Sequence, residues 1–165
     1  MVNLVYFNEG TPIVWRDTGG DKAITLAALA ADAVRVGAQG DLGAVPRSEW
    51  YKWRAQVDGF DTAPVVGETV DFYLSTSDIV TAGTEDGDVG IADAAGATVD
   101  LPNLLYLGSA VVQTVTATDE LMISGTVRLT SRYVMPVVHN NTADALETTT
   151  PDHLFTLTPI PPEIQ

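Results

Sequence analysis

Apolar and polar residues alternate along much of the chain, which is the pattern of half-buried β-strands. The alternating segments are 34–42, 50–58, 68–75, 121–129 and 153–158. Two longer β-branched runs, around Leu104–Thr116 and Tyr133–Val138, predict strands buried on both faces. Glycine and proline residues separate these runs at the intervals typical of a sandwich or barrel.

This pattern predicts an all-β chain of about eight strands, folded as one domain over residues 1–165. The favoured architecture is a two-sheet β-sandwich, with the jelly roll as its most fitting form. The inward positions of the predicted strands should form its core: Val36, Trp53, Val57, Val70, Phe72, Leu74, Ile123, Val127, Phe155 and Leu157.

Four segments depart from the alternation. Residues 23–33 are rich in alanine and favour a helix by propensity, but the surrounding β pattern favours strand–turn–strand. Residues 1–22 are weakly patterned and predict an N-terminal arm or an edge strand. Residues 79–101 predict a long acidic loop without regular structure, and residues 159–165 a proline-rich extended tail.

Composition places the chain among soluble globular proteins. Hydrophobic residues make up 45% and charged residues 18%, a balance opposite to that of disordered chains. No cysteine is present, which excludes disulfides and thiolate metal sites. The absence of a bilayer-length apolar run and of a signal-peptide pattern predicts synthesis in a cytoplasm.

The charge is strongly negative and unevenly distributed. The net charge is −14, and residues 55–127 contain twelve acidic residues and no basic one. Residues 1–54 contain six of the eight basic residues and as many acidic ones. This balance argues against nucleic acid and against an anionic membrane as partners, since both attract basic surfaces.

Residue patterns for catalysis or metal binding are weak. The two histidines, His139 and His153, lie near predicted strand ends, where structural roles prevail. No Gly-x-Ser-x-Gly elbow is present, and Thr84–Gly90 lacks the alternating acids of an EF-hand. We therefore expect a protein that is not an enzyme, with no catalytic residues, no cofactor and no metal.

The stretch Trp50–Arg54 (WYKWR) is the most distinctive in the chain. Alternation sends Tyr51 and Trp53 to one face and Trp50, Lys52 and Arg54 to the other. We expect the first pair to be in the core. The second set could be a contact face, because tryptophan and arginine are favoured anchors of interfaces. With the Trp-Arg pair upstream, the candidate interface residues are Trp15, Arg16, Trp50, Lys52 and Arg54.

Three stretches carry a resemblance to a known group of proteins. They are WYKWRAQVDGFDTAPVVGETVDFYLSTSD at 50–78, SRYVMPVVHNNTADAL at 131–146 and DHLFTLTPIPPEIQ at 152–165. The chain, from about Thr11 onward, resembles small β-sandwich structural proteins of the virions of tailed bacteriophages, of the head decoration or cement type.

The resemblance implies a capsid decoration or cement protein, made in the host bacterial cytoplasm and located in the virion. Its partner would be the major capsid protein or another virion protein, and a homo-oligomer is expected, with a trimer favoured. The alternative is a glycan- or receptor-binding module associated with a tail or fibre. The charge distribution predicts that the arm 1–22 and Trp50–Arg54 contact the shell, with the loop 79–101 facing solvent.

Overall fold

The computed structural model describes residues 5–7, 9–44, 47–85, 88–148 and 152–164, with side chains omitted for 5–7 and 162–164. The strands within these ranges are β1 (Val5–Phe7), β2 (Ile13–Arg16), β3 (Lys22–Ala23), β4 (Ala33–Val36), β5 (Gly40–Asp41), β6 (Trp50–Val57), β7 (Thr69–Ser77), β8 (Ala94–Gly96), β9 (Leu105–Val111), β10 (Leu121–Arg128), β11 (Tyr133–Asn141), β12 (Leu154–Pro159) and β13 (Pro162–Ile164). A 3-10 helix spans Thr98–Asn103.

The chain is an all-β protein whose two main sheets, of five and six strands, pack as a sandwich. The five-stranded sheet has the order β10-β6-β12-β2-β3. The six-stranded sheet has the order β8-β4-β11-β7-β9, with β5 also paired to β11. β1 and β13 form a separate two-stranded ribbon. The predicted fold class is thus confirmed at the level of a two-sheet β-sandwich.

The core between the sheets is built around aromatic rings. Trp15 and Phe155 meet edge to face with centroids 5.8 Å apart, and Trp53 stacks on Phe155 at 6.3 Å. Trp15 donates from Nε1 to the carbonyl of Ala38 at 2.7 Å, so its polar atom is satisfied. Gly40 is needed beside it, because a Cβ there would lie 2.6 Å from the indole ring.

The predicted core residues lie inside, with Ile123 only half-buried against the sandwich core. Val36 belongs to a second cluster, on the side of the six-stranded sheet that faces away from the sandwich core. That cluster consists of Val34, Val36, Val89, Leu101, Met135 and Val137. An acidic segment of the chain covers it.

This covering segment, the described residues 79–85 and 88–104, is mostly exposed as predicted for the acidic loop, but it is not without regular structure. It contains β8, which pairs with β4, and the 3-10 helix, whose Leu101 is buried. Val89 is also buried in the second cluster. The sequence did not reveal this packing, because the apolar residues that anchor the segment are spaced too irregularly to form a recognisable period.

The N-terminal prediction also needs correction. β2 lies inside the five-stranded sheet, between β12 and β3, so residues 13–16 are neither an arm nor an edge. Residues 5–7 pair with 162–164, which makes part of the predicted C-terminal tail a strand. Residues 1–4, 8 and 165 lie outside the described residues.

Two further predictions have different outcomes. Residues 23–33 form no helix; they run from β3 through two turns into β4, with positive φ at Ala28 and Asp32, as strand–turn–strand implies. The run 104–116 was expected to be buried on both faces, but β9 ends at Val111 and only Ala110 of its seven residues is buried. It is an edge strand, which a β-branched sequence alone does not reveal.

Candidate contact face

The outward side of the five-stranded sheet, here called the contact face, is organised by β6. Trp50, Lys52 and Arg54 are exposed on it, while Tyr51 and Trp53 are 2% and 3% exposed and lie in the core. The alternation predicted for this strand is confirmed. Trp50 retains 48% of its surface exposed, which is high for so large an apolar side chain.

Neighbouring strands extend the contact face on both sides of β6. In β10, Arg128 is paired with Trp50, Thr126 with Lys52, and Ser124 with Arg54. In β12, Thr158 is opposite Lys52 and Thr156 opposite Arg54. Directly paired residues project to the same side of a sheet, so these side chains lie beside the predicted ones.

Arg16 belongs to this face, but Trp15 does not. Arg16 is paired with Leu154, which in turn is paired with Gln56, so it projects outward. It forms an ion pair with Asp152 at 2.6 Å. Trp15 is 0% exposed and points into the core, so its assignment as an interface residue was wrong. Adjacent residues of a strand project to opposite sides, and only one member of the Trp-Arg pair could face outward.

The contact face gathers basic residues in a strongly acidic protein. Arg16, Lys52, Arg54 and Arg128 account for four of the eight basic residues of the chain. Lys52 pairs with Glu9 at 2.9 Å and Arg128 with Glu49 at 2.7 Å. Arg54 forms no ion pair within the described ranges; it donates to the Gln56 side chain at 2.6 Å and contacts Met122 Sδ at 3.1 Å. A partner could therefore place a carboxylate against Arg54 without displacing an internal one.

The rest of the contact face is rich in hydroxyl groups and partly apolar. Ser124 and Thr126 are exposed, and Met122 is 58% exposed beside Arg54. The alternation of 121–129 already separated Met122 and Arg128 from the core positions. What the sequence could not supply was the pairing of β10 with β6, which brings them next to Trp50 and Arg54.

A polar row crosses the opposite sheet but lacks the order needed for nucleophilic catalysis. Tyr106 OH lies 2.6 Å from Ser109 Oγ, and Ser109 donates to Asp71. His139 follows, with Nδ1 3.7 Å from Asp71 and Nε2 3.1 Å from Asp32. Asp71 thus stands between the serine and the histidine, whereas an activated serine requires histidine beside its hydroxyl.

His153, in contrast, is wholly buried and has a structural role. Its Nδ1 accepts from the backbone N–H of Asp58 at 3.0 Å, and its Nε2 lies 3.1 Å from the carbonyl of Glu147. The ring therefore links the backbone of Asp58, directly after β6, to the backbone of Glu147. This agrees with the structural role expected for a histidine near a strand end.

Two ion pairs elsewhere shift the pKa of their carboxyl groups. Hydrogen bonds from Arg132 lower the pKa of Asp41 to about 2. At Asp93, burial raises the pKa, but hydrogen bonds from Arg35 and Thr25 outweigh it and hold the pKa below its usual value. Asp93 lies in the covering segment and Arg35 in β4, with 2.6 Å between them, so this pair fastens the segment to the sheet.

Among the described residues, no three His, Asp or Glu side chains gather as ligands of one metal ion. No helix in those ranges has the length and apolarity to cross a membrane. In the stretch Thr84–Gly90, which lacks the EF-hand pattern, Asp86 and Gly87 lie outside the described residues.

Comparison with known proteins adds no identity. No protein-family model matches the chain, and no curated protein sequence is significantly similar to it.

Proposed function

We propose that the protein is a non-enzymatic structural component of a bacteriophage virion, a capsid decoration or cement protein. It would bind the head shell through the contact face. The observation that carries this proposal is the concentration of Trp50, Met122 and Arg54 on one outward sheet surface of an acidic protein, where Arg54 forms no ion pair within the described ranges. Exposed aromatic and arginine side chains are the anchors that protein interfaces use.

The strand order supports the finer description of the sandwich as a jelly roll. Eight strands, taken in chain order, are β2, β4, β6, β7, β9, β10, β11 and β12. The first, eighth, third and sixth are neighbours in one sheet, and the second, seventh, fourth and fifth in the other. This strand order supports a jelly roll, an architecture found in viral capsid and lectin domains.

The distribution of charge supports the proposed orientation on the shell. The covering segment carries Glu85, Asp88, Asp93 and Asp100 and lies on the other side of the sandwich from the contact face. Dense carboxylates resist desolvation, so that side would remain in water while the contact face is buried. The prediction that the segment faces away from the shell thus remains part of the proposal, although the segment itself is packed.

Attachment to heads tests the proposal. Heads of the phage that encodes this chain, prepared without it, would be mixed with purified protein and sedimented. We expect the unmodified chain to co-sediment, and Trp50→Ala and Arg54→Glu each to lose about 2 kcal/mol or more, roughly a thirtyfold loss of affinity. Tyr106→Ala is the matched control, because Tyr106 is 54% exposed on the other sheet.

Full attachment by both contact-face variants would overturn the assigned surface. Binding of the unmodified protein to tails or to glycans, with none to heads, would overturn the decoration role in favour of a receptor-binding module. A homo-oligomer, with a trimer favoured, remains part of the proposal, and mass photometry of the free protein measures it.

A further inference from the structure

A half-open slot of about 250 Å³, with a lining of mixed polarity, lies between the covering segment and the six-stranded sheet. Its floor consists of Val34, Val36 and Val137, which are at most 5% exposed. Leu101 and Leu104 of the covering segment form an apolar wall. The volume lies just below the range of about 300–1,000 Å³ usual for small-molecule sites, so a short ligand would fit.

The slot exists because the chain that crosses it is made of small residues. Residues 92–97 read ADAAGA, and every one of them except Asp93 lines the slot. β8 pairs with β4 through Ala94, Ala95 and Gly96, so its backbone is fixed while its side chains leave space. Larger apolar residues at the alanine positions would occupy this space, whereas at Gly96 there is no room even for a Cβ, which would lie 2.7 Å from Val34.

Two acidic residues, Asp88 and Asp100, line the slot, and neither has a basic partner among the described residues. Asp88 is exposed, Asp100 is half-buried, and both line the opening. Asp88 accepts a hydrogen bond from Asn103 at 3.1 Å. Within the described parts of the chain, neither forms an ion pair, and Asp100 has no hydrogen bond from a side chain. A half-buried carboxylate gains from a cation brought to it, because the desolvation it has already undergone is then compensated.

We propose that this slot binds a small primary aliphatic amine. The alkyl chain would lie against the valine floor, and the ammonium group would remain at the rim beside Asp88 and Asp100. The polarity of the slot selects a free amine over a lysine side chain of another protein. A lysine would have to insert its charged end first into the apolar floor, whereas a free alkylamine enters with its apolar end.

The probe is hexylamine, titrated into the full-length protein while the methyl NMR signals of Val34, Val137 and Leu101 are followed. Hexanol and hexanoate are the matched probes, because they keep the alkyl chain and change only the head group. We expect saturable shifts with hexylamine, binding at least about tenfold weaker with hexanol, and none with hexanoate.

Two variants separate the two halves of the site. Asp100→Asn should weaken hexylamine binding by about tenfold and leave hexanol binding unchanged. Ala94→Met should fill the slot and abolish both, with an unchanged circular dichroism spectrum showing that the sandwich is intact. The proposal fails if hexylamine causes no saturable shift, if hexanoate binds equally well, or if Asp100→Asn retains full affinity. Head attachment is a separate property, so failure here would leave the proposed function standing.

Discussion

Trp15 and Trp50 are both tryptophans, but Trp15 is buried in the core and Trp50 is exposed. Trp15 is enclosed by Phe155, Ala38 and Gly40, while Trp50 projects from the contact face. Alternation placed Trp50 correctly because several residues of β6 share one period. Trp15 was misplaced because only four residues of β2 carry the pattern, and too few neighbours indicate which side is inward.

Substitution by alanine should therefore change the free energy of unfolding strongly at Trp15 and little at Trp50. Trp15→Ala should reduce the free energy of unfolding by about 3–5 kcal/mol, because it removes a buried ring and leaves a cavity. Trp50→Ala should change it by no more than about 0.5 kcal/mol, as exposed positions do. Urea unfolding followed by circular dichroism measures both. Equal losses in the two variants would contradict the assigned environments.

At the scale of elements, the strands were more predictable than the segments between them. β6, β7, β10 and β12 follow the alternating runs closely, since one buried face imposes a period of two. The covering segment could not be predicted, because Val89 and Leu101 contact residues of β4 and β11 that are distant in sequence. Its only local signal was the run of small residues at 92–97.

The attachment of the covering segment should depend on pH. The folded pKa of Asp93 is lowered, against an unfolded value of about 3.9. Its stabilising contribution is therefore present above about pH 4 and is lost as the pH falls through the folded pKa. We expect the free energy of unfolding of Asp93→Asn to be lower than that of the unmodified chain at pH 7, and the difference to shrink as the pH falls below about 4 in urea unfolding.

Asp100→Asn is the matched control for that measurement, because it removes a carboxylate of the same segment that forms no ion pair within the described residues. At pH 7 its loss of stability should be smaller than that of Asp93→Asn. If the difference in free energy of unfolding between Asp93→Asn and the unmodified chain stays constant with pH, the Arg35 contact is not what fastens the segment.

The N-terminal strands predict where truncation becomes harmful. Removal of residues 1–8 would eliminate β1 and leave β2, so the sandwich should fold with nearly unchanged circular dichroism. Removal of 1–20 would delete β2 with Trp15 and expose β12, so we expect an unfolded or aggregated chain. A folded 1–20 deletion would show that β2 is dispensable, as an arm would be.

At the scale of the whole molecule, the two sides of the sandwich differ in chemistry. One side is the contact face, with Trp50 and half of the basic residues; the other carries the covering segment and its carboxylates. The sequence predicted this asymmetry from charge counts along the chain. It could not predict that Arg128, far from residues 1–54, would join the contact face, because that depends on the pairing of β10 with β6.

The pairing of the two chain ends has a mechanical consequence. Val5 lies opposite Ile164, Gly10 donates to the carbonyl of Pro159, and Ile13 lies opposite Leu157. The first and last segments therefore run as one antiparallel ribbon that opens at a single end. A force pulling on both ends would break the hydrogen bonds of this ribbon one after another, so a small force would be enough. A force spread over the contact face would instead load many strands together, so the same molecule would be weak along its ends and strong across its sheet.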